Sequence, residues 1–102
     1  MNRLETLKDL VRQNPADAFA RYGLGMEYAR AGDFAAAAAE YKSIVEAHPE
    51  YVAAYYQGGQ ALEHLGRSDE AREFYRQGIA LTTRLGDFHA RDQLQAALDL
   101  LG

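Results

Sequence analysis

The chain has no cysteine, only two prolines and only two serines, and none of its apolar stretches is long. Without cysteine there are no disulfides, no thiolate metal sites and no cysteine nucleophile, so the fold must rest on packing. The segment Met1 to Asp9 carries charges at Arg3, Glu5, Lys8 and Asp9, where a secretory signal needs an unbroken apolar run. No window approaches the roughly 20 apolar residues of a membrane span. The cytoplasm is the expected location. Positive charge is also sparse: 11 Lys+Arg stand against 15 Asp+Glu, and no two basic residues are adjacent between Arg3 and Arg91. A net charge of -4 without a basic cluster lacks the field that a phosphate backbone or an anionic lipid surface requires. Neither nucleic acid nor a membrane is an expected partner.

Groups that could carry chemistry are equally thin. His48, His64 and His89 never fall three or four residues from another histidine, the spacing that a helical metal site needs. Ser43 and Ser68 have no nucleophile-elbow context, and Ser68 reads as a helix cap. The triplet Gly23-Leu24-Gly25 lacks the third glycine and the preceding strand of a dinucleotide fingerprint. No catalytic residue, metal ligand or cofactor is assigned, and a non-enzymatic role is expected.

What the chain does contain is a period. Pro15 and Pro49, Ala20 and Ala54, Tyr22 and Tyr56, Gly25 and Gly59, Gly32 and Gly66, Ala37 and Ala71, and Tyr41 and Tyr75 all stand 34 residues apart. Small residues and aromatics returning in phase at that length indicate a helical repeat array rather than a domain built around one central pocket. Between the glycines and prolines the apolar residues recur at helical spacing, predicting six helices over about 3–13, 18–31, 34–47, 52–65, 69–85 and 88–101. Asp17, Asp33, Ser68 and Asp87 are the expected N-caps, and Gly32, Gly66 and Gly86 the expected stops. The division is a single domain with a flanking helix in 1–14, repeats in 15–48 and 49–85, and a capping helix in 86–102. With both ends covered in this way the array reads as complete.

Gly25 and Gly59 each cost roughly 1 kcal/mol in a helix interior, a cost consistent with close packing against Ala37 and Ala71 in the paired helix. Gly58 and Gly78 make the second repeat softer. Those glycines either make room for Tyr51, Tyr55, Phe74 and Tyr75 or form a hinge. Leu24, Tyr28, Tyr41, Leu62 and Tyr75 are expected core.

These residues resemble the tetratricopeptide repeat, whose pattern combines leucine-glycine and tyrosine in a first helix with alanine, an aromatic and a closing proline around the second. In the first copy they are Tyr22, Leu24, Gly25, Tyr28, Gly32, Ala37, Tyr41 and Pro49, with Arg21 at the usual tryptophan position. In the second they are Tyr55, Gly59, Leu62, Gly66, Ala71 and Tyr75, with Gly58 in place of leucine and Thr83 in place of proline. The resemblance implies an all-α fold of antiparallel helix pairs stacked as a short right-handed superhelix. It also implies a concave groove, lined by the first helix of each repeat, that binds a peptide or helix of another protein. The groove residues it implies are Phe19, Tyr22, Met26, Arg30, Tyr56, Gln57, Gln60, His64 and Arg91, flanked by Gly23, Ala29, Ala53, Glu63, Asp87, Ala90 and Leu94. Phe19 and Tyr22 could instead pack on the first helix, and Tyr56 on the cap. The carboxylate clamp found in some members is not expected, because Tyr22, Met26, Gln57 and Asp87 occupy most of its basic or amide positions and only Arg91 has the charge. The alternative function is a self-associating subunit, monomeric or weakly dimeric, that uses the groove or a lateral apolar patch.

Overall fold

The computed structural model describes residues 2–102; Met1, the first residue of the flanking unit, lies outside the described residues. The chain runs through α1 (Arg3–Gln13), α2 (Ala18–Arg30), α3 (Phe34–Ala47), α4 (Val52–His64), α5 (Ser68–Leu85) and α6 (Phe88–Leu101). Asn2, Asp17, Asp33 and Asp87 each accept a hydrogen bond from the N–H three residues on, at Glu5, Ala20, Ala36 and Ala90. At Gly32, Gly66 and Gly86 the φ angle is +84°, +74° and +74°, a turn that costs other residues strain. Ser68 is not a cap. The Ala71 N–H bonds to the Arg67 carbonyl, so α5 begins one residue earlier than expected and Arg67 occupies the place that Asp33 holds 34 residues before. Arg67 offers no side-chain acceptor and instead pairs with Glu70 in the first turn.

Each helix packs chiefly on its neighbours in sequence, which spreads the molecule over 40 × 28 × 19 Å. One core cluster joins α3, α4, α5 and α6 around Tyr41, Ile44, Leu62, Tyr75 and Leu94, and a smaller one joins α1 to α2 through Val11, Ala20 and Leu24. Tyr28 is half-buried and touches both.

The helical glycines explain the close approach inside each pair. A Cβ on Gly25 would stand 2.8 Å from the Tyr41 ring, and one on Gly59 would stand 2.2 Å from the Tyr75 ring. The expected alanine contact is therefore not what these glycines serve most directly: the missing side chain is replaced by the face of a tyrosine from the paired helix. Gly58 makes the same room for Phe74, at 2.3 Å, and Gly78 for the Tyr55 Cβ and Leu94, at 2.8 and 2.9 Å. The packing role of these glycines holds for Tyr55, Phe74 and Tyr75. Tyr51 lies elsewhere, its ring tilted on Tyr22 at 5.6 Å.

The two tyrosines differ at their hydroxyls. Tyr75 donates to Glu63 and accepts from the Gln60 amide at 2.7 Å, so its buried oxygen is satisfied. Tyr41, also fully buried, has no hydrogen-bond partner for its hydroxyl among the described residues. The residues 34 positions before Gln60 and Glu63 are Met26 and Ala29, which offer no comparable acceptor and donor pair. Burial raises the pKa of both phenols; at Tyr75 the Glu63 carboxylate adds to that effect.

Fastenings between elements also recur. Arg21 donates to the Pro15 carbonyl at 2.7 Å, and Tyr55, 34 residues on, donates to the Pro49 carbonyl. Arg21 additionally pairs with Glu40 of α3 at 2.8 Å, a polar tie at the position where tryptophan is usual. His48 reaches back to the Ala16 carbonyl at 3.2 Å, which joins the end of α3 to the turn before α2. Lys42 of α3 meets Glu70 of α5 at 2.8 Å.

Gly59→Ala improves helix propensity by roughly 1 kcal/mol, yet it drives a methyl group into a buried ring. A net destabilisation of about 1–3 kcal/mol is expected in urea unfolding, larger than for Gly25→Ala. Met26→Gln combined with Ala29→Glu transplants the Tyr75 network beneath Tyr41. Thermal unfolding is expected to show a gain of about 1–2 kcal/mol, the usual cost of a buried unpaired hydroxyl. Glu70 is held at about 2, below its ordinary 4.5, first by hydrogen bonds from Arg67 and then by Lys42. Because the folded-state pKa is depressed, its contribution is complete above pH 4.5 and disappears as the pH falls towards 2. An acid titration of stability should lose that component in Glu70→Gln.

Candidate functional site

The first helices of successive pairs, α2 and α4, lie side by side, and α6 continues the row beyond α4. Depressions lie along this face, three of them between helices. The first, about 490 Å³, opens between α1 and α2 and is lined by Leu7, Leu10, Phe19, Tyr22, Met26 and Arg30 among others. The second, about 220 Å³, has walls from Ala29 and Phe34 on one side and Tyr56, Gln57, Gln60 and His64 on the other. The third, about 310 Å³, lies between Tyr56, Gln60 and Glu63 of α4 and Gln93, Ala96 and Leu100 of α6.

Eight of the nine residues singled out from the sequence line these depressions, but they have unequal freedom. Phe19 is 79% exposed and does not pack down onto the first helix; it stands at the mouth of the cleft, near Leu10. Tyr22 is half-buried between the rings of Tyr41, at 5.9 Å, and Tyr51. Burial is the main cause of its raised pKa. Tyr56 leans on Tyr75, 6.5 Å between centroids, with one side left open to both the second and third depressions. Gln60 is committed to Tyr75 and Glu63, so its amide has less capacity for a ligand than the sequence implied.

His64 is exposed and stacks flat on Phe34, 4.1 Å between centroids and 4° between planes. Arg91 is not among the residues lining the row of depressions: its guanidinium covers the Phe88 ring at 4.8 Å and pairs with Asp92 at 3.1 Å. Three contributors escaped sequence reasoning. Phe34 follows the Asp33 cap and reads as a helix start, while Leu10 and Leu100 fall outside the groove positions that the repeat pattern supplies. Leu100 is 91% exposed.

Chemically, this face offers aromatic and aliphatic surface edged with amides, an imidazole and a few charges. Among the described residues no three His, Asp or Glu side chains gather as a metal site, and no helix is long and apolar enough to cross a membrane.

Comparison with known proteins agrees with the geometry. Residues 22–84 match the tetratricopeptide repeat family. A TPR repeat-containing protein of Pseudomonas aeruginosa is 32% identical over 95 residues, spanning 93% of this chain and 90% of its own length. The crystal structure of a tetratricopeptide repeat domain protein from Salinibacter ruber superposes with a TM-score of 0.77 at 34% identity, covering 83% of this chain and 94% of that one. A Bordetella parapertussis protein, BPP2914, superposes with a TM-score of 0.83 at 27% identity over 99% of this chain and 88% of its own. Six antiparallel helices in a 34-residue period, tyrosines seated on glycines, and these likenesses lead to one conclusion: the chain belongs to the tetratricopeptide repeat family.

Proposed function

We propose that the protein is a non-catalytic interaction module that holds a peptide or helix of a partner protein along the α2, α4 and α6 face. Tetratricopeptide repeat domains mediate protein–protein interactions, which supports the general class. The observation that carries the site is the row of depressions, where apolar surface from Tyr56, Phe34 and Leu100 alternates with Gln57 and His64. Alternating apolar seats and amide groups suit a polypeptide, whose side chains need pockets and whose backbone needs donors and acceptors. Aromatic side chains already fixed by core packing lose little entropy when a ligand covers them, which makes Tyr22 and Tyr56 good anchors. The same anchoring makes their truncation a poor test, since Tyr22 and Tyr56 lean on the core tyrosines.

A photo-crosslinking amino acid in place of exposed His64 or Leu100 is expected to capture a partner polypeptide in the producing cell. The same group in place of Glu46 or Arg76, exposed on the second helices, should not. Equal products from both pairs of positions would remove this face from the proposal.

A further inference from the structure

The N-terminal end of the array was expected to be closed by the first helix, but a shift by the 34-residue period shows that it is open. Leu7 and Leu10 of α1 correspond to Tyr41 and Ile44 of α3. In α3 those two residues are 0% and 1% exposed, with Tyr41 lying directly under Gly25 of α2. In α1, Leu7 is half-buried against Gly23 of α2, while Leu10 is 46% exposed. The same shift relates Tyr22, Met26 and Arg30 of α2 to Tyr56, Gln60 and His64 of α4, beside which Ala29 and Phe34 of the preceding repeat lie. Beside α2 no described residue takes that position, and the 490 Å³ cleft opens there with Phe19 at its mouth. The other end of the array is finished differently. There α6 turns Asp92, Gln95 and Asp99 outward, with Gln95 and Asp99 bonded to each other at 3.0 Å.

We infer that the α1/α2 cleft is the interface of a two-fold homodimer, each copy laying its Leu10 and Phe19 against the cleft of the other. A cleft with Leu10 and Phe19 exposed at its edge can be covered by the same cleft of a second copy, and a two-fold axis does so with the same patch on both copies. The charges at the cleft are arranged to match. At one end Arg3 and Arg30, 74% and 75% exposed, share the single carboxylate of Glu27 at 2.7 and 3.6 Å, leaving positive charge uncompensated. At the other end Asp17 caps α2 and makes no ion pair among the described residues. An antiparallel apposition of two clefts brings the arginine end of each copy to the aspartate end of the other, while a parallel one would set like charges together. This interface goes beyond the partner-binding proposal, because the α4 and α6 part of the face stays free in the dimer.

Sedimentation velocity of the full chain over roughly 10 to 500 µM, the range suited to a small interface, tests the inference. The expected mass rises from the 11.3 kDa of one chain towards twice that value and goes no higher. Leu10→Glu and Phe19→Glu, both at exposed positions, should keep the helical circular dichroism of the parent and remain monomeric throughout. Arg30→Glu should weaken association at least several-fold, and Leu100→Glu at the far end should leave it unchanged. A parent chain that stays at the mass of one copy overturns the inference, as does a dimer that survives Leu10→Glu with Phe19→Glu, or growth past two copies. Crosslinks from His64 to another protein are read separately, so loss of the dimer and loss of the partner site are distinguishable.

Discussion

Tyrosine rings pressed against bare helical backbone set the distance between the helices of each pair. The Tyr41 ring occupies the place of the missing Gly25 side chain, and the Tyr75 ring that of Gly59. Each glycine costs roughly 1 kcal/mol of helix propensity, and each is offset by a large buried ring whose contacts need that proximity. At that spacing Tyr22 of α2 tilts on Tyr41 of α3, and Tyr56 of α4 on Tyr75 of α5, within the same pairs. The exposed sides of those outer tyrosines form the floor of the row of depressions. The core contact and the candidate binding surface are therefore two sides of one aromatic stack.

The two repeats share this plan and diverge in how they treat its polar atoms. In the second, Gln60 and Glu63 satisfy the buried Tyr75 hydroxyl and keep only part of their polar capacity for the depressions they line. In the first, Met26 and Ala29 leave the Tyr41 hydroxyl unpaired and the surface apolar. Stability and stickiness are exchanged between repeats at equivalent positions. Both ends expose apolar side chains, Leu10 and Phe19 beside the α1/α2 cleft and Phe88 and Leu100 on α6, where Asp92, Gln95 and Asp99 stand among them.

Much of the candidate site was legible because a first helix in a repeat presents the same positions each time. Tyr22, Met26, Tyr56, Gln57 and His64 all reach the expected face. Arg91 did not, since a neighbouring aromatic ring and Asp92 offered its guanidinium a local arrangement that sequence spacing does not reveal. Phe34 and Leu100 were missed for the opposite reason: each reads as an ordinary member of its own helix, and each matters only through the helix beside it. Ser68 failed as a cap because α5 starts one residue earlier, at a backbone bond to Arg67.

By itself the sequence determined six helices, nearly all of their ends and the 34-residue plan, because caps, left-handed glycines and helical periodicity act within a few residues of chain. Family membership followed from the same local pattern repeated in phase. Only the tertiary structure decided that Gly25 faces a tyrosine ring, that Gln60 is already engaged, and that Leu10 and Phe19 stand exposed at a cleft between α1 and α2. Those outcomes depend on which side chains arrive from other helices to fill a space or take a hydrogen bond, and distance along the chain carries no information about that competition.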